Sequence, residues 1–173
     1  MKNRYVSFLL GILFASLIFL TGTNYYMNTQ DTNNELTPKV TGIGGIFFFS
    51  DDPAKAREWY SKHLGLAVNE YGSSFEFRNA NRPEEINYLQ WSPFKKGSEY
   101  FAPSKKEFMI NYRVQNLDGL VKQLRDDGVT ILDEIDSYEY GKFIHIMDHE
   151  GNKIELWEPV DSVFTNMGGA TTK

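Results

Sequence analysis

The sequence predicts an α+β protein made of two tandem βαβββ modules behind an N-terminal hydrophobic helix. The order strand, helix, strand, strand, strand is written twice between residues 41 and 159. Two helix-ending glycines, Gly65 and Gly128, lie 63 residues apart, and the strand ends LQWSP (89–93) and ELWEP (155–159) lie 66 apart, so two different elements repeat at nearly one spacing. With 173 residues, 41% hydrophobic and 15% aromatic, the composition is that of an ordinary folded domain.

The elements follow in order. Lys2 and Arg4 precede an uncharged apolar run, VSFLLGILFASLIFL (6–20), the pattern of a charged n-region and an h-region. Fifteen residues at about 1.5 Å each fall short of a ~30 Å hydrocarbon core unless Tyr5 and residues 21–23 are added. Residues 1–23 are therefore read as a signal peptide or a membrane anchor, and the Asn- and Thr-rich residues 24–39 as a flexible polar linker. With the positive end held in the cytoplasm, the protein is expected to be membrane-anchored with an extracytoplasmic domain, or secreted after cleavage.

Module one (about 41–93) opens on the strand-like GIGGIFFFS (42–50). Asp52 then caps a helix with Pro53 at its first position, where a missing N–H costs nothing, and Gly65 ends it. Three β-like segments follow, at 67–71, 74–78 and 86–91. Module two (about 108–159) opens on FMINYRV (108–114), and Asn116 caps a helix whose Leu117, Leu120, Val121 and Leu124 share a face. After Gly128 come strand-like segments at 130–135, 141–147 and 153–158. Residues 92–106 join the modules and mix Phe94, Tyr100 and Phe101 with four lysines; such a connection is a lid, an interface or a linker with its aromatics tucked onto the sheet. Residues 161–173 are expected to be a flexible tail.

The absence of cysteine excludes disulfides, thiolate metal sites and a cysteine nucleophile. The formal charge of −5 argues against nucleic acid as a partner.

The segment from Asp52 through WYSKHLGL (59–66) and the hairpin YGKFIHIMDHEGNKIELWEP (140–159) resemble the vicinal oxygen chelate superfamily, which holds glyoxalase I, the bleomycin-resistance proteins and the extradiol dioxygenases. The resemblance covers about residues 40–160 and implies a mixed sheet curled into a cup, with helices outside and the active site inside. Enzymes of that family hold a divalent metal with four side chains, usually His or Glu, from the first and last strands of each module. Here the resemblance puts those positions on Gly45, Leu89, Met109 and Glu155, of which only Glu155 is a suitable ligand. No metal or other cofactor is expected.

Alternate residues on a strand share a face, so Met109, Asn111 and Arg113 point one way, as do His145 with Phe143 and Glu155 with Trp157. The candidate site is a polar cluster of Asn111, Arg113, His145 and Glu155 in a wall of Phe47, Leu89, Trp91, Met109 and Trp157. It suits a small, partly apolar ligand with one anionic or carbonyl group, with Arg113 as the anion clamp and Glu155 and His145 as groups able to move a proton. The bland reading pairs Arg113 with Glu155 as a structural ion pair and makes His145 a satisfied interior residue. His63 and His149 match no metal or triad spacing.

Three functions compete: a module that binds a small molecule without the usual metal; a metal-independent or atypically liganded lyase, isomerase or dioxygenase-like enzyme using Glu155 as acid/base; and an interaction domain whose edge strands pair with a partner or a second copy, as in a homodimer.

Overall fold

The computed structural model describes residues 37–80 and 82–172. The apolar run at 6–20 and nearly all of the expected linker lie outside the described residues, and the account below concerns the unit that begins at Pro38.

Module one starts with β1 (Lys39–Ser50) and α1 (Pro53–Leu64). The Asp52 carboxylate accepts from Lys55 N at 3.1 Å, and Gly65 leaves the helix at φ 72°, its N–H bonded to Ser61 O at 3.0 Å. β2 (Ser73–Arg78) and β3 (Ile86–Lys95) complete the module. The segment at 67–71, expected as a strand, is a turn that meets the sheet through a Val68–Ser73 bridge and through the Ser73 and Ser92 hydroxyls, which donate to Ala67 O and Tyr71 O at 2.9 and 2.8 Å. The Asn69 side chain accepts from the backbone N–H of Tyr71 and Gly72 at 2.9 and 3.1 Å, and that local bonding competes with a ladder.

Module two runs β4 (Phe108–Gln115), α2 (Leu117–Asp126), β5 (Thr130–Ile131), β6 (Asp136–Tyr138), β7 (Gly141–Met147) and β8 (Lys153–Pro159). Of the strand expected at 130–135 only the first two residues are one, and β6 starts just beyond it; between them Asp133 leaves the ladder and its carboxylate accepts from His145 N at 2.8 Å.

The strands form one eight-stranded mixed sheet, ordered β2-β3-β1-β4-β8-β7-β5, with β6 also on β7. In each module the last long strand lies parallel to the first, β3 on β1 and β8 on β4, and the modules meet along the antiparallel β1–β4 seam. The duplication is thus a property of the fold. The sheet curls with α1 and α2 on its outer face: Val114, Ile144, Ile146 and Leu156 bury against Leu117 and Val121 of α2, and Trp91, packed on Phe48, meets Tyr60 of α1. Residues of opposite parity on β4, β7 and β8 line the inner face.

Two segments lie across that inner face. The connection between modules turns through a 3-10 helix (Glu99–Phe101), burying Phe101 (1% exposed) with Phe47 and Met109 and stacking it on Phe49 at 4.4 Å. The residues after β8, expected as a flexible tail, form α3 (Asp161–Met167) and then return to module one, where Thr172 N donates to Ser74 O at 2.8 Å beside β2. An unpaired edge strand and a ready aromatic, Phe164, give that segment something to pack on.

Candidate functional site

The inner face of β4, β7 and β8 brings Asn111, His145 and Glu155 together. Parallel pairing sets Asn111 opposite Glu155, and antiparallel pairing sets His145 opposite it from the other side. Asn111 Nδ2 donates to Glu155 Oε1 at 2.6 Å. His145 Nε2 lies 2.9 Å from Glu155 Oε2, and its Nδ1 lies 2.6 Å from Asp133 Oδ2. Tyr100, from the connection, donates its hydroxyl to the same Glu155 oxygen. Glu155 is 3% exposed and both its oxygens are engaged.

An imidazolium donates from both ring nitrogens, and His145 faces a carboxylate at each. Burial alone pushes His145 down, but the hydrogen bonds to Glu155 and Asp133 outweigh it and raise its pKa. Burial likewise pushes the Glu155 carboxyl up, and donation from His145, Tyr100 and Asn111 outweighs that, holding it below its ordinary value. Desolvation first, then the Glu155 charge, raise the Tyr100 phenol far above its usual range, so it stays a donor. Lys153 donates to Tyr100 O at 2.7 Å and lies over the Tyr100 ring. With His145 protonated, the direction in which its neighbours push it, the two carboxylates are matched by an imidazolium and the Lys153 ammonium.

Arg113 is on the same face but belongs to a second cluster. It is 5% exposed, donates from Nη1 to Tyr88 O at 3.1 Å, lies 5.0 Å from the Trp157 ring centre and pairs through Nη2 with Asp161 of α3. The expected alternative of an Arg113–Glu155 ion pair is not formed. Phe47 and Met109 lie in the inner-face apolar cluster with Phe101, and Trp157 stacks on Phe143. Leu89 and Trp91 do not line this face: Trp91 packs on Tyr60 of α1, and Leu89, two residues before it on β3, shares its side. The inner face of β3 is carried by Tyr88, Gln90, Ser92 and Phe94.

The donor set does not fit the divalent ion expected of the resembled enzymes. Among the described residues no group of three or more His, Asp or Glu side chains is placed to hold a metal. The β4 residue beside Glu155 is Asn111, while Met109 is in the apolar cluster, and Leu89 is on the helix side. At Gly45 a Cβ would stand 2.6 Å from Phe47 Cζ and 3.1 Å from Asn111 Cβ, so the Phe47 ring occupies the space a ligand there needs.

Sequence reasoning missed Tyr100, Asp133, Lys153 and Asp161. The mixture of aromatics with Pro and Gly in the connection was the one available signal for Tyr100. Asp133 and Asp161 carry no local pattern, since each acts across the sheet.

Comparison with known proteins agrees with this architecture. Residues 42–156 match the model of the Glyoxalase/Bleomycin resistance protein/Dioxygenase superfamily. A variant of Streptomyces coelicolor methylmalonyl-CoA epimerase in complex with 2-nitronate-propionyl-CoA is similar in fold, at TM-score 0.52 and 18% identity, over 70% of this chain and 99% of that one. Mycobacterium tuberculosis methylmalonyl-CoA epimerase aligns at TM-score 0.47 and 23% identity, over 73% of this chain and 93% of that one. A search of curated proteins finds no match.

Proposed function

Because the chain belongs to the glyoxalase/bleomycin resistance protein/dioxygenase superfamily, we propose that its inner face binds a small molecule without the metal used by the family's enzymes. The observation that carries this reading is the closed network at Glu155: one carboxylate with four hydrogen-bonding partners, counting Asp133 through His145, whose donors and acceptors are spent on one another, and among the described residues no group of three or more ligating side chains placed to hold a metal. Such a network offers fixed, pre-oriented polar groups in an aromatic wall, the composition of a recognition site. It serves poorly as a general base, which needs a pKa near the working pH, whereas Glu155 is held anionic with every oxygen engaged. In the same reading the apolar run behind Lys2 and Arg4 exports or tethers the domain outside the cytoplasm.

The test is metal content by mass spectrometry on protein purified without chelator, with thermal shifts against Mg, Mn, Fe(II), Ni and Zn and a small-molecule library. Metal well below one per chain, midpoints indifferent to added ions, and a library ligand whose shift is lost in Glu155→Gln and His145→Ala are expected. Stoichiometric metal with a metal-dependent midpoint would overturn it.

A further inference from the structure

The second cluster on the inner face is filled by the chain itself. α3 presents two groups to it, three residues apart: the Asp161 carboxylate on Arg113 and the Phe164 ring among Trp157, Tyr88 and Tyr140. Phe164 meets Trp157 edge-on at 5.5 Å, Tyr88 at 5.6 Å and Tyr140 at 6.1 Å. The carboxylate fits imperfectly. Arg113 Nη2 and Asn87 Nδ2 both donate to Asp161 Oδ2, while Oδ1 is buried and accepts no hydrogen bond. A buried carboxylate oxygen without a donor is costly, and as docked Asp161 spends one oxygen on both donors and leaves the other with none. No side chain caps the start of α3, and beyond these groups one further side-chain hydrogen bond, between the Tyr88 and Thr165 hydroxyls at 3.2 Å, holds it to the sheet.

We propose that the Arg113 cluster is a site for a small aromatic carboxylate, and that α3 occupies it as an internal stand-in which such a ligand displaces. A free arylalkanoate supplies the same two groups, and its carboxylate is free to meet Arg113 and Asn87 with separate oxygens. Its ring takes the place of Phe164 in the aromatic cage. Gly168 and Gly169, at φ 66° and 118°, follow the helix and let it swing while Thr172 keeps its hold on β2. The proposal rests on the reading of the inner face as a ligand site and adds the ligand's class.

Phenylacetate is titrated by calorimetry into the full-length chain, the double variant D161N/F164A, and that variant with Arg113→Met added, with phenylacetamide as the uncharged control. The double variant is expected to bind phenylacetate about tenfold tighter than the unaltered chain, the gain due if the docked helix holds roughly nine-tenths of molecules. Arg113→Met should abolish binding, and phenylacetamide should bind none of them. A second readout needs no variant: saturating phenylacetate should speed amide exchange in residues 161–167 of the unaltered chain while protecting β8. Equal affinity in the double variant, or exchange in α3 that stays unchanged or slows, would overturn the proposal. A carboxylate-free ligand whose affinity depends on Glu155 and not on Arg113 would overturn it while sparing the broader reading; no binding of phenylacetate or of any library compound would end both.

Discussion

Glu155 shows how a single buried carboxylate is kept charged. Its burial cost is offset by donors from three separate elements, and the most consequential is His145, which also answers to Asp133. Removing it in His145→Ala takes away the group that bridges the buried Glu155 and Asp133 and leaves their charges to Lys153 alone, so a loss of about 3–5 kcal/mol is expected at neutral pH. The loss should shrink in acid as Glu155 takes up a proton, and urea titrations at two pH values read both. The unaltered protein carries a pH signature of opposite sign at each residue. His145 binds its proton more tightly when folded, so its stabilisation is complete below 6.5 and is lost as pH rises through the raised folded pKa. Glu155, with a lowered pKa, stabilises above 4.5 and loses that contribution as pH falls. The urea midpoint should therefore decline on both flanks, and His145→Gln should flatten the upper one. At Gly45 the missing metal ligand cannot simply be restored. Gly45→His should cost about 1–3 kcal/mol from overpacking against Phe47 and Asn111, with no gain in bound metal by mass spectrometry.

The elements divide into those whose signals are local and those that depend on distant partners. Asp52 with Pro53, Gly65, and the apolar stripe of α2 are local and were legible, because capping and periodicity are written in adjacent residues. The connection between modules was not. Its aromatics are ambiguous by themselves, and only the inner face decides that Phe101 is buried and that Tyr100 reaches Glu155. Phe101→Ala should cost about 3–5 kcal/mol by urea unfolding, a core-sized loss from a residue in a loop-like sequence. α3 escaped notice for a similar reason: a seven-residue segment after a strand carries no strong periodicity, and its docking groups lie on β3, β4 and β8.

At the scale of the molecule, the duplication was legible because it is a spacing, and spacings survive divergence in side chains. Side was harder than order. Overlaying LQWSP on ELWEP puts Trp91 on Trp157, yet the first faces α1 and the second faces the cup, since a one-residue offset turns every side chain of a strand over. The pairing itself shows the offset: Gln90, not Leu89, lies beside Gly45 on the inner face, as Glu155 lies beside Asn111. Amide exchange should follow the sheet order, slowest in β1, β4 and β8 and fastest in the short β5 and β6.

Thr172 has a consequence for how the two halves come apart. Two halves of a sheet joined only along β1–β4 would be free to melt one after the other, like links in series. The last described residues instead leave module two and fasten to β2, the far margin of module one, closing the series into a ring. Melting either half then unclasps the other, so calorimetry should show one transition, and Thr172→Pro, which removes the N–H that meets Ser74, should split or broaden it.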